Sequence, residues 1–190
     1  MLFKFLIICI STAVFFGCSS IRLQTDIRPS ESDWLHVGGG PSQHHARSYG
    51  PKPPLKLIKR FSFNAAPIEN FVALNKTVFV ATQNGRIHAL NLEIQEKIGK
   101  IKLISNGESS VALHATGMLL IGEHLGRETL FCYDLLNGGN RWKVRAGLLD
   151  GEPVAADSSV YVVARFRHVD RYSLRDGAKI WQYDVKSQAH

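Results

Sequence analysis

This chain is poor in cysteine, in clustered acids and in helical pattern. Only three cysteines occur in 190 residues. Cys9 lies inside an apolar leader and Cys18 closes it, which leaves Cys132 alone in the run LFCY. No disulfide framework is open to the mature chain, and Cys132 reads as a small buried hydrophobe. No helical period follows the leader. The densest acids, Asp150, Glu152 and Asp157, flank Gly151-Glu152-Pro153, which reads as turn chemistry rather than a catalytic group. Gly122 and Gly126 precede Arg127-Glu128 and lack the lysine of a phosphate loop, so they read as a hairpin turn. Ser109, Ser110 and His114 share one strand, with no nucleophile order around them. His88, His124 and His168 fall at unmatched positions. His44 and His45 are neighbours on an extended stretch and cannot easily face one ion. With His36 and Arg47 they read as loop contacts, so neither a metal nor a catalytic residue is expected.

The one long apolar run is Leu6–Phe16, after Lys4 and before Gly17-Cys18-Ser19-Ser20. It is too short for a stable spanning helix and reads as an export leader over 1–17. A small residue and then cysteine behind such a run resembles a bacterial lipobox. That resemblance implies lipid attachment (acyl chains such as palmitate) at Cys18, enough for stable anchoring. Ser19 resembles the outer-membrane sorting preference, so the expected location is the periplasmic face of the outer membrane. Removing the leader takes one lysine from a formal net charge of +7. The remaining basic residues are spread along strands, as solvated faces and edge protection. An export leader argues against nucleic acid as a partner.

What the chain does have is a repeat. Residues 159–185 read SVYVVARFRHVDRYSLRDGAKIWQYDV, and an earlier copy reads GMLLIGEHLGRETLFCYDLLNGGNRWKVR. Asp134 precedes Trp142 by eight residues, as Ser173 precedes Trp181; Gly138 and Gly177 each sit four past the first member. A worn copy places Asn91, Gln95 and Gly99 at the same positions. The copies lie 43 and 39 residues apart, a spacing of propeller blades with four short strands each. Such sheets stack because none can bury both its faces alone. Asp or Asn bonds the turn backbone, glycine supplies positive φ, and the tryptophan is expected to pack on the neighbouring blade. The expected blade-docking residues are Trp142, Trp181, Asp134, Gly138 and Gly177.

These positions resemble the pyrroloquinoline-quinone (PQQ) repeat family over about residues 34–185. Cys132, Asp134, Asn137, Gly138 and Trp142 fall on its pattern, as do Arg171, Ser173, Asp176, Gly177 and Trp181. The resemblance implies an all-β fold, here a partial β-propeller of about three four-stranded antiparallel blades. A lipid-anchored tether and irregular lead-in are expected over 18–54, with IRLQTDIRPSES a flexible spacer and Trp34 against the body. The propeller is expected over 55–187: strand zero at 55–63 (LKLIKRFSF, apolar and basic in alternation) and blades at 68–103, 109–146 and 153–185.

Closed propellers have about 4–8 blades, so three readings stay open. The stretch is part of a longer parent, or it completes a ring with copies of itself or another protein, or it persists as an open wedge. Two function classes follow from the resemblance. One is a non-catalytic lipoprotein scaffold that binds a protein or polymer, like the propeller lipoproteins of outer-membrane assembly, with no cofactor. The other is a fragment of a PQQ-dependent dehydrogenase or of a propeller sensor domain. The dehydrogenases hold calcium with acidic and amide side chains, and no such cluster is legible here.

Overall fold

A computed structural model describes residues 20–23, 27–28, 30–40, 42, 50, 52–104, 109–124, 126–164 and 167–185. The leader, Cys18, His44, His45, Arg47 and Arg165 lie outside the described residues. Among the described residues, twelve strands form three sheets of four, each a simple antiparallel meander. The first blade holds β1 (Pro67–Leu74), β2 (Thr77–Thr82), β3 (Arg86–Asn91) and β4 (Glu96–Lys102). The second holds β5 (Ser109–His114), β6 (Met118–Glu123), β7 (Leu130–Asp134) and β8 (Gly139–Val144). The third holds β9 (Val154–Ala156), β10 (Ser159–Ala164), β11 (His168–Ser173) and β12 (Lys179–Asp184). This is the all-β partial propeller expected from the repeat.

Local chemistry sets the hairpins. Asn75-Lys76 turns with φ of 50° and 61°, Gly85 with 66° and Gly117 with 83°. These left-handed values suit Asn in the two-residue loop and Gly at the end of the three-residue loops 83–85 and 115–117. The innermost strands β1, β5 and β9 stand side by side. The blades therefore stack face to face, and the apolar core divides into two seams. One, between the first and second blades, gathers Val72, Phe79, Ile87, Leu113, Leu119, Phe131 and Leu135. The other, between the second and third, gathers Leu120, Leu130, Cys132, Trp142, Val160 and Tyr172. Strands β6 and β7 are buried along their whole length because their blade is covered on both faces, whereas β12 is exposed throughout.

Two expectations change. Residues 55–63 form no strand, and Leu55, Leu57 and Ile58 are exposed. Alternation supplies a pattern but not a free edge to pair with. The end of this stretch rests instead on the first blade, where the Phe63 ring lies 5.0 Å from that of His88 and the Lys97 ammonium donates to the Ser62 carbonyl. The spacer is not free either: Ile21 and Leu23 are buried in the first seam. Trp34 reaches the body through its backbone, exchanging hydrogen bonds of 2.7 and 2.8 Å with Ala73 of β1.

Candidate functional site

Each blade carries the same cross-strand row over its second, third and fourth strands. In the second blade it runs Leu120–Cys132–Trp142, in the third Tyr161–Arg171–Trp181, in the first Phe79–Ala89–Gly99. A register shift follows at the same place in all three, one residue beyond Cys132, Arg171 and Ala89. The shared bulge makes Gly99, Trp142 and Trp181 structural equivalents.

Trp142 is 8% exposed and lies in the second seam. Its indole Nε1 donates to the Leu174 carbonyl of the third blade at 2.9 Å. Below it is Gly177, with φ of +73°, where a Cβ would stand 2.7 Å from the indole. Beside it, Arg141 Nε donates to the Arg175 carbonyl at 2.9 Å. The slot is thus two turn carbonyls and a floor without a side chain.

The turn that builds a slot is held by its first residue. Asp134 Oδ1 accepts the Leu136 and Asn137 amides at 2.9 and 3.0 Å, and Gly138 N–H closes onto the Asp134 carbonyl at 2.8 Å. Burial raises the Asp134 pKa, but hydrogen bonds from Asn137 and Leu136 and the charge of Arg141 outweigh it and leave the carboxyl below its usual range. Asn91 accepts the Glu93 and Ile94 amides in the same way. Cys132, under Trp142, has its thiol pushed up to about 12 by burial and is inert as a nucleophile.

A family described as outer membrane protein assembly factor BamB matches residues 83–190, more than half of the chain. The chain belongs to this family. Among solved structures, BamB from Moraxella catarrhalis is similar at a TM-score of 0.53 and 16% identity, covering 66% of this chain and 38% of that one. Quinohemoprotein alcohol dehydrogenase from Comamonas testosteroni is similar at 0.56 and 16%, covering 80% and 27%. A europium-containing methanol dehydrogenase is similar at 0.62 and 14%, covering 83% and 33%. The chain therefore spans about a third of the length of these structures, and identities this low show the shared PQQ-repeat propeller fold alone. Comparison with curated proteins by sequence gives no match.

Against this BamB-family fold, the third blade differs from its neighbours. Trp181 is 38% exposed and Ile180, Tyr183 and Val185 are exposed beside it. Among the described residues its aromatic partner is Tyr161 of its own blade, centroids 6.1 Å apart, with Arg171 over Tyr161 at 5.8 Å. Trp181 thus docks on no blade among the described residues, because the surface that would cover it is not among them. Behind the row, buried Asp170 accepts Lys179 Nζ at 2.6 Å and Tyr172 Oη at 3.0 Å, tying β12 to β11.

The polar residues scatter. Val37 N–H donates to Glu152 Oε2 at 3.2 Å, and Asp157 sits in the β9–β10 turn with φ of 52°. Among the described residues no group of three or more His, Cys, Asp or Glu side chains is placed to hold a metal. His36 is 1% exposed and, with His114 and Asp157, lines a cleft of about 240 Å³ beside the inner strands. Desolvation lowers the pKa of His36 against a hydrogen bond to the Ala155 backbone, and His114 lowers it further.

Sequence reasoning missed Ile21 and Leu23. Their signal was a short apolar alternation facing a blade with no tryptophan at position 99.

Proposed function

We propose that this chain is a non-catalytic envelope lipoprotein, anchored through Cys18 at the periplasmic face of the outer membrane, whose blades bind a protein partner in outer-membrane assembly. The leader over 1–17 would be removed, and residues 18–54 would carry the anchor and lead into the blades. The observation that carries the reading is the uncovered Tyr161–Arg171–Trp181 row of the third blade, in a chain of the BamB family. The equivalent row of the second blade is buried under a neighbour, so the third presents an apolar face suited to a partner.

The same geometry bears on self-association. An incoming indole needs a turn with a bare floor. The first blade has Gln95 there, in the same left-handed conformation (φ of 56°) but with a Cβ. The second slot is filled by Ser20–Leu23 and the third by Trp142. This favours a different protein, or further blades, over a second copy of these residues, and Trp142 and Trp181 then have one role, pinning blade to blade.

A second reading, part of a quinone-dependent dehydrogenase or a sensor propeller, draws support only from likeness of fold to the two dehydrogenases. Metabolic labelling with radioactive palmitate should mark the chain and leave Cys18→Ala unmarked; label persisting in Cys18→Ala removes the anchor. In the same cells, Trp181→Ser with Tyr183→Ser should lower the amount of folded barrel protein in the outer membrane. Unchanged barrels, together with quinone-dependent alcohol oxidation by the purified protein, would favour the second reading.

A further inference from the structure

The first seam has the slot but not the indole. Gly99 stands where Trp142 stands in the second blade, paired with Ala89 as Trp142 is with Cys132. The slot it faces is complete: the Leu135 and Leu136 carbonyls correspond to those of Leu174 and Arg175, and Gly138 (φ +73°) corresponds to Gly177 (φ +73°).

Residues Ser20–Leu23 fill that slot, contact for contact. Leu23 N–H donates to the Leu135 carbonyl at 2.8 Å, where the Trp142 indole donates to Leu174 at 2.9 Å. Arg22 Nε donates to the Leu136 carbonyl at 2.9 Å, where Arg141 Nε donates to Arg175 at 2.9 Å. The Arg22 side chain lies over Gly138, 3.3 Å from where a Cβ would be, as the Trp142 indole lies over Gly177. Ile21 occupies the space above Gly99: a Cβ there would stand 3.0 Å from the Ser20 carbonyl oxygen and 3.1 Å from Ile21 Cα. Tyr133 Oη, itself buried, donates to the Ile21 carbonyl at 3.0 Å, and Ile21 is fully buried.

We infer that Ser20–Leu23 is a docking strap that replaces the missing indole of the first blade and closes the seam between the first and second blades. The exchange has a physical logic. In the second blade the Trp142 indole and the Arg141 guanidinium supply two N–H donors, and the indole a large apolar area; the strap supplies the same donor count from a backbone amide and a guanidinium, and the apolar volume from Ile21. The glycine at 99 is required because the strap backbone passes where a side chain would begin. Because the strap comes from outside the blade, it also fixes residue 20 on the body. Under the acylation proposed above, only Ser19 would separate the strap from the lipid-bearing Cys18, and the step from Cys18 to Ser20 would reach at most about 7 Å. The propeller would then be held at the bilayer by its first seam rather than hung on a long tether. The strap itself does not depend on that reading.

The test uses the full chain in detergent, with urea unfolding as readout. Gly99→Trp should lower the midpoint, by about 1 M, because the new side chain meets the strap backbone. Deleting residues 20–23 should also lower it. In the deletion background, Gly99→Trp should raise the midpoint, since the freed slot now accepts the indole. The sign reversal is the signature of two arms competing for one slot. Gly99→Trp acting with the same sign and size in both backgrounds would overturn the strap. Hydrogen exchange on the unaltered protein serves if the deletion does not fold. The Leu23 amide should exchange at least about a hundredfold more slowly than in a free peptide, and exchange at the free rate would also overturn it. Palmitate label at Cys18 can be present or absent in either outcome, so the two proposals fail separately.

Discussion

Gly177 and Gly138 share one backbone conformation and differ in what stands over them. Any side chain at either position takes on left-handed strain of about 1 kcal/mol. At Gly177 an added methyl also meets a rigid indole at 2.7 Å, whereas at Gly138 it meets the pliable stem of Arg22 at 3.3 Å. Gly177→Ala should therefore cost more than Gly138→Ala, by about 1–2 kcal/mol in chemical denaturation; a larger loss at Gly138 would show that Trp142 does not rest on that floor. His36 sets a pH dependence. Its folded pKa lies below the 6.5 of a free imidazole, chiefly from burial. The unfolded chain thus takes up the proton first as pH falls through 6.5, and stability is lost down to the folded pKa and no further. His36→Gln should flatten the stability profile below pH 6.5, and a variant with the same slope as the parent would assign the effect elsewhere. The turn at Asp134–Gly138 was legible because its chemistry is written within five residues. The burial of His36 was not, because the inner strands that enclose it lie far off in sequence.

Strands were more legible than the segments around them. Alternation and Asn-Gly or Asp-Gly turns mark β2, β3, β10 and β11 locally, and the repeat sets their order. Residues 55–63 carry the same alternation, yet they join none of the three sheets, and Phe63 finds His88 and Lys97 instead. The opposite misreading befell residues 20–23. Their polar surroundings suggest a spacer, but Ile21 and Leu23 meet a slot that only the three-dimensional alignment of Gly99 with Trp142 reveals. β12 illustrates the remaining limit. Its residues repeat the pattern of β8, but burial of Trp181 is a property of whatever covers it, which no local pattern encodes.

Among the described residues, the two seams between blades are closed and the Trp181 face of the third blade is open. The first seam is filled by Ser20–Leu23, the second by an indole, and the third blade carries an indole that rests on no other blade among the described residues. The binding role proposed above rests on this exposed arm in a chain of the BamB family. The contrast between Trp142 and Trp181 states this most simply, and urea unfolding of the two alanine variants of the chain without its partner measures it. Trp142→Ala should cost about 3–5 kcal/mol, the loss of a buried indole, and Trp181→Ala less than about 1 kcal/mol, as for an exposed side chain. Equal losses, or a larger one at Trp181, would contradict a propeller closed at its second seam and open at its third blade.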